Sequence, residues 1–451
     1  MSDLERVYAQ LLARAPENKI EPRMEPMFRA MEILGEPQKS SPVIHITGTN
    51  GKTSTARMIE SLLQAHDIRT GRYSSPHLVK VTERISIDGE PVDDETFVRV
   101  WDEISPFLDL VDAELTEQGE NRLTYFEAVT ILAFAIFAEV PVEVVVLEVG
   151  LGGITDATNV SDAEVSVITP ISLDHTDLLG DTPGLIAEEK IGILKPGGYL
   201  VSAVQPVDAA DVLLAKVREL EVPVAFESLD FKLIERTMGV GGQVLAIEGQ
   251  AARYEEIYLP LYGAHQAQNA VVALAAVEAF LGGGERELNI ELVRNGFAAT
   301  TSPGRLELVR SAPSVLVDAG HNTDGLKASA EAIKESFGFS RLVLMVGILR
   351  EKDAEAMLYT MREEYGDLVD DLCLTQSSSP RAIPAGELAT LAVDAGWPEE
   401  DLHVTENLED AVEWCVGRAE AGEDLAGGVL VTGSITLVGE ISLLLKGGQN
   451  S

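Results

Sequence analysis

The chain has 451 residues, 45% of them apolar, which is enough for two or three domains with substantial cores. Its 34 basic and 74 acidic residues give a formal charge of −40, which argues against nucleic acid as a partner, because a phosphate backbone demands a basic face. An anionic small molecule can then be held only where the few cations gather.

In chain order, the charged, amphipathic start at 1–19 is unlike a signal peptide. At 43–63, "VIHITGTNGKTSTARMIESLL" reads as strand, glycine turn and helix. Gly51, Lys52 and Thr53 supply the end of a phosphate-binding loop, but Ile46 stands where the usual first glycine belongs. Backbone N–H groups and the helix start would face phosphates, Lys52 would reach the β/γ-phosphates, and the Thr53 hydroxyl would touch Mg²⁺. An ordinary strand-to-helix turn explains Gly48 and Gly51 but not the Lys-Thr pair. The apolar run 128–138 is too short to span a bilayer and reads as a buried helix.

Strands at 142–150, 165–171 and 199–204 alternate with helices, which predicts a mainly parallel sheet with helices on both faces. Residues 229–262 read as a small β-meander with a glycine turn at 239–242, followed by a helix from "HQAQNA". "TTSPGRLE" has loop chemistry, and a second α/β series follows it. The expected domains are 1–299 and a smaller 300–451. Cys373 and Cys415 lack metal-finger spacing, which suits a reducing cytoplasm. Glu148, Asp174, His175, Asp318 and His321 sit at or just beyond strand ends, where open α/β sheets bind ligands.

"GTNGKTS", "YSSPHL", "ERISIDG", "LEVGLGG", "DATN", "DHTDLLG", "EEKIGILKPG", "HQAQNA", "SPGRLE", "VDAGHN" and "VTGSITLVGE" follow one another from about residue 20 to 445. In that order they resemble the Mur ligase superfamily, and within it the folylpolyglutamate synthase/dihydrofolate synthase family. Only 47 residues precede Gly48, too few for the uridine-nucleotide domain of the cell-wall ligases. One departure is Ile154, where the family usually carries arginine. The resemblance implies a P-loop-containing central domain with a mainly parallel sheet and small meander, plus a Rossmann-like C-terminal α/β domain.

It also implies an ATP-dependent ligase that joins L-glutamate to dihydropteroate or to the γ-carboxyl of reduced folates through an acyl phosphate. Thr49, Asn50, Gly51, Lys52, Thr53, Asn269, Arg305, Asp318 and His321 correspond to ATP-binding positions. Ser75, Glu148 and His175 correspond to metal ligands, with two Mg²⁺ sites expected, and Lys52, Lys190 and His175 to the catalytic set. Lys190 matches a lysine that carries a carbamate (N6-carboxylysine); from the residues alone it reads as a surface lysine beside Glu188 and Glu189. Pro22, Arg23, Met24, Ser74, Thr124, Tyr125, Phe126, Glu127, Thr155, Asp156 and Ala157 correspond to pteroate-binding positions. Lys352 and Arg381 offer cations for the incoming glutamate. The expected protein is a cytoplasmic monomer that binds small molecules, with neither nucleic acid nor membrane as partner. Two alternatives stay open: a Mur-type ligase for a different carboxylate acceptor, and a nucleotide-binding protein without ligase activity.

Overall fold

The computed structural model describes residues 2–16, 19, 21–421 and 427–447. The apolar run after Pro42 forms β1 (Val43–Thr47), buried along its whole length. It lies inside a sheet with β2 (Thr70–Tyr73), β3 (Ile85–Ile87), β4 (Glu90–Pro91), β5 (Val144–Glu148), β6 (Val165–Ile168), β7 (Tyr199–Ser202) and β8 (Val224–Phe226). The order is β4-β3-β2-β5-β1-β6-β7-β8. All pairings from β2 to β8 are parallel, and β3 and β4 turn antiparallel at one edge. A strand covered on both faces favours apolar residues on both, so β1, β5 and β6 are mainly Val, Ile and Leu rather than an alternation, with only His45, Thr47, Glu148 and Ser166 as buried polar exceptions.

The expected meander is a separate three-stranded sheet of β9 (Lys232–Gly239), β10 (Gly242–Glu248) and β11 (Arg253–Leu259). A third sheet contains β12 (Glu307–Ser311), β13 (Ser314–Val317), β14 (Arg341–Val346), β15 (Val369–Leu374), β16 (Leu402–Val404) and β17 (Gly427–Thr432), in the order β12-β13-β17-β14-β15-β16. Only its edge strand β12 is antiparallel. Both large sheets are thus the parallel α/β sheets that the alternating pattern predicts.

The chain divides into two compact units. One holds the residues up to Thr237 with Val244–Leu259 and Ala267–Thr300; the other holds Met238–Gln243, Pro260–Gln266 and the residues from Thr301. The apolar run at 128–138 lies in the helix Tyr125–Glu139, buried in the core of the first unit. Among the described residues, no helix is long and apolar enough to cross a membrane. Cys373 and Cys415 are both buried, and the Cys373 thiol is close enough to influence that of Cys415 although 42 positions separate them (415 − 373).

The sheet order positions the site. From β1 the chain runs past β5 to β2 on one side, whereas β5 leads across β1 to β6 on the other. This reversal opens a crevice at the C-terminal strand ends, where open α/β sheets take ligands. A buried ion pair braces one flank of it. Arg72 on β2 is 1% exposed, and its Nε donates to Glu60 Oε2 at 2.7 Å; Nη1 reaches Ser74 Oγ and Nη2 reaches Ser86 Oγ, each at 2.7 Å. Glu60 belongs to the helix Lys52–Ala65, so this one guanidinium ties that helix to the strand. Replacing Arg72 alone strands a buried carboxylate, and Arg72→Met is expected to cost about 3–5 kcal/mol in chemical denaturation. Removing both charges in Arg72→Met/Glu60→Met is expected to recover most of that loss.

Candidate active site

The loop after β1 is shaped by two glycines. Gly51 has φ 88° and precedes the helix Lys52–Ala65; a Cβ there would collide with Asn269 Oδ1. A Cβ on Gly48 would collide with Thr169 Oγ1. No side chain caps the helix, so the loop leaves its first N–H groups available to an anion. Thr49 N donates to Pro170 O at 3.0 Å, and Thr49 Oγ1 both donates to Ser172 O and accepts from Ser172 N, at 3.0 Å each. Asn50 stands partly exposed between them and Gly51.

Two lysines converge on this loop. Lys52 Nζ donates to Gly48 O at 2.9 Å and to Thr49 O at 3.1 Å. Lys190 Nζ donates to the same Gly48 O, also at 2.9 Å. Lys190 is only 3% exposed, which corrects the reading of it as a surface lysine. It ends the helix Pro183–Lys190 and points inward, away from the solvent side of that helix. Burial, reinforced by the Lys52 charge, pulls its pKa from 10.5 down to about 7.

The Thr53 hydroxyl donates to Glu148 Oε1 at 2.8 Å, and Glu148 is 1% exposed at the end of β5. His175 has φ 51°, caps the short helix Thr176–Leu179, and keeps Nε2 3.9 Å from Asp174 Oδ1. Ser75 follows Ser74 on the loop after β2. No group of three or more His, Cys, Asp or Glu that could hold a metal occurs among the described residues. The adjoining oxygens of Thr53 and Glu148 nevertheless suit Mg²⁺, a hard cation that prefers oxygen ligands and keeps several waters.

Several positions matched to pteroate binding have structural partners of their own. Thr124 and Glu127 form a capping box, with Thr124 N to Glu127 Oε2 at 2.7 Å and Glu127 N to Thr124 Oγ at 3.2 Å. Arg23 grips the same carboxylate at 3.2 and 3.1 Å and reaches Asn121 O and Arg122 O. Asp156 accepts from Leu151 N at 2.9 Å and Thr158 N at 3.0 Å, and Thr155 N lies 3.4 Å from Glu189 Oε1. Ala157 is buried in the short turn that follows. The aromatic pair is differently placed: the Phe126 ring lies against Gly150, 6.2 Å from Tyr73, and the Tyr125 ring lies 5.2 Å from the Arg84 guanidinium. Pro22 is exposed, and Met24 packs on the core.

In the second unit, Arg305, Asp318 and His321 gather on loops at the end of β13. Asp318 Oδ2 accepts from Leu306 N and Oδ1 from Gly320 N, both at 3.0 Å, so the carboxylate matched to ATP binding already orders two loops. Burial raises its pKa, against the lowering pull of Arg305. His321 Nδ1 lies 3.0 Å from Ala319 O. Arg381 is ion-paired with Glu351. Sequence reasoning missed Thr169 and Pro170, which wall the loop; the stretch "VITPI" signalled only a strand.

The Mur ligase middle domain matches residues 46–277, and the Mur ligase glutamate ligase domain matches 304–435. A Mycobacterium tuberculosis dihydrofolate synthase/folylpolyglutamate synthase is 43% identical over 445 residues, 94% of this chain and 90% of that protein. The chain belongs to the dihydrofolate synthase/folylpolyglutamate synthase family. As a member it is an ATP-dependent ligase. Crystal structures of M. tuberculosis folylpolyglutamate synthase with ADP and AMPPCP superpose on this family member with TM-score 0.91 at 42% identity, covering 98% of each chain. Escherichia coli FolC in complex with DHPP and ADP superposes with TM-score 0.83 at 28% identity, covering 99% of each.

Lys52 Nζ donates to backbone carbonyls of its own loop, so Lys52→Ala is expected to leave the melting temperature nearly unchanged while abolishing nucleotide-dependent turnover. Gly51→Ala is expected to weaken nucleotide binding through its collision with Asn269, with isothermal titration of an ATP analogue as the check.

Proposed function

We propose that this ligase joins L-glutamate to dihydropteroate, to the γ-carboxyl of a reduced folate, or to both. The observation that carries the reading is the convergence of Lys52, Lys190, Thr53 and Glu148 on one glycine loop at the sheet's switch point. A carboxylate resists amines because oxide is a poor leaving group. Transfer of the γ-phosphoryl group of ATP to a carboxylate oxygen gives an acyl phosphate and ADP. The glutamate amine then attacks the acyl carbon, the tetrahedral adduct expels phosphate, and the amine sheds a proton to leave the amide. Such chemistry asks chiefly for positioning and charge neutralisation.

In this reading the triphosphate takes the loop amides of 49–53 and draws Lys52 away from the carbonyls of Gly48 and Thr49. Asn269 borders the loop beside Gly51, and Arg305, Asp318 and His321 are the nucleotide-binding groups of the second unit. Thr53, Ser75, Glu148 and His175 would hold Mg²⁺, which when bound neutralises phosphate charge. Tyr125 and Phe126 offer aromatic faces for a pterin ring, while Arg23, Thr124, Glu127 and Asp156 set the shape of that wall. The enzyme acts as a monomer. ADP release that requires both glutamate and a pteroate acceptor is the expected result; glutamate-independent release at the same rate would overturn the reading.

Lys190 is suited to carbamate formation. Its amine is neutral above about pH 7, addition of CO₂ forms an N–C bond and releases one proton, and a cation becomes an anion able to assist metal binding. The lowered pKa fixes the sign of the pH effect. Between about 7 and 10.5 the unfolded chain binds the proton that the folded chain has lost, so stability from this group rises with pH across that window, and below it the burial penalty is full. A ¹³C-labelled carbamate signal is therefore expected to grow as pH rises through about 7 and to vanish in Lys190→Ala. Persistence of the signal in that variant would exclude Lys190 as its site.

A further inference from the structure

Arg57 lies on the helix that opens at the phosphate loop. Thr53, Arg57 and Glu60 follow one another at i, i+4 and i+7, so they form one stripe on that helix, which packs on β2 and β5. The residues above and below it in the stripe are both engaged: Thr53 holds Glu148, and Glu60 holds Arg72. Arg57 itself is partly buried, yet among the described residues it makes no hydrogen bond and no ion pair.

The carboxylates within its electrostatic reach are Glu60, Glu148 and Glu83, and the cation that acts on it is Arg72. Each carboxylate is committed elsewhere. Glu60 accepts from Arg72 Nε at 2.7 Å and Gly89 N at 3.2 Å. Glu148 accepts from Thr53. Glu83 accepts from Leu78 N and Lys80 N, both at 2.8 Å. Arg72 is engaged by Glu60, Ser74 and Ser86. A partly buried guanidinium with no bonded counter-anion is incompletely compensated, and burial with the Arg72 charge drags its pKa from 12.5 to about 10. An arriving anion supplies what the fold withholds, and a planar fork of N–H donors matches a carboxylate in two-point contact.

We infer that Arg57 binds the reacting carboxylate of the acceptor substrate, holding it beside Glu148 and the phosphate loop for phosphoryl transfer. The inference rests on the ligase reading above and adds a substrate contact to it. The stripe explains the placement. One helical turn separates the hydroxyl assigned to metal from the guanidinium assigned to the carboxylate, and the loop carrying Ser74 and Ser75 follows β2 on the same flank.

The test compares binding of dihydropteroate with that of its carboxamide, which keeps the ring system and lacks the charge. The wild-type enzyme is expected to prefer the carboxylate by at least about tenfold, the size of one charge-assisted contact. Arg57→Met is expected to lose that preference while binding the carboxamide and an ATP analogue as the wild type does. Arg57→Lys should recover part of the preference, and added guanidinium ion should recover part of the turnover of Arg57→Ala. A preference that survives in Arg57→Met overturns the assignment. So does parallel weakening of both ligands with a fall in melting temperature, which marks a structural arginine, and so does selective loss of ATP-analogue affinity, which places the residue on phosphate. If the wild type binds neither pteroate ligand, dihydropteroate is not the acceptor, and the same comparison made with a reduced folate and its γ-carboxamide decides the assignment: no preference for the carboxylate there overturns it.

Discussion

One carbonyl oxygen, that of Gly48, receives two ammonium groups at 2.9 Å. Like charges this close repel strongly where water is excluded, and the arrangement persists because both cations have backbone acceptors and Lys190 surrenders much of its hold on its proton. The loop therefore waits with its own lysine folded inward. A polyphosphate competes for Lys52 on favourable terms, since it relieves the crowding as it binds. The geometry that permits this depends on Gly48 having no side chain to strike Thr169.

A molecule of net charge −40 that handles nucleotides must place its cations with care. In the first unit Lys52, Arg57, Arg72, Arg84 and Lys190 all lie on or beside the strands and helices that frame the crevice, and three of them are at most 3% exposed. Many other cations are held on the surface in ion pairs such as Arg29–Glu114 and Arg99–Glu139. Salt screens such exposed charges beyond about 10 Å, so the acidic exterior matters for solubility more than for what happens at the buried loop.

Much of this was legible in the sequence, for identifiable reasons. Strands covered on both faces announce themselves as apolar runs, and the glycine turn between β9 and β10 marked the meander. The phosphate loop was visible because strand, glycine and Lys-Thr coincide. What escaped were the buried cations. Lys190 sits beside two glutamates on a helix, a context that looks solvated, and only the third dimension shows it turned toward Gly48. Arg72 and Glu60 lie 12 positions apart, and nothing in either neighbourhood signals that each exists to neutralise the other. Thr124 and Glu127 were legible in another sense: Thr-x-x-Glu before an apolar helix is a capping signature, and the structure gives those side chains that work.

The cysteine pair has a practical side. Cys373 and Cys415 are the chain's only thiols, both are fully buried, and Cys415 is pushed well above the ordinary thiol range by its neighbour and by burial. Buried thiols held protonated are poor nucleophiles, because the thiolate is the reactive form. The native protein is thus a silent background for maleimide chemistry. One cysteine placed on the surface of each unit will take fluorophores or spin labels selectively, so distances between the units can be read in solution without first removing any native residue.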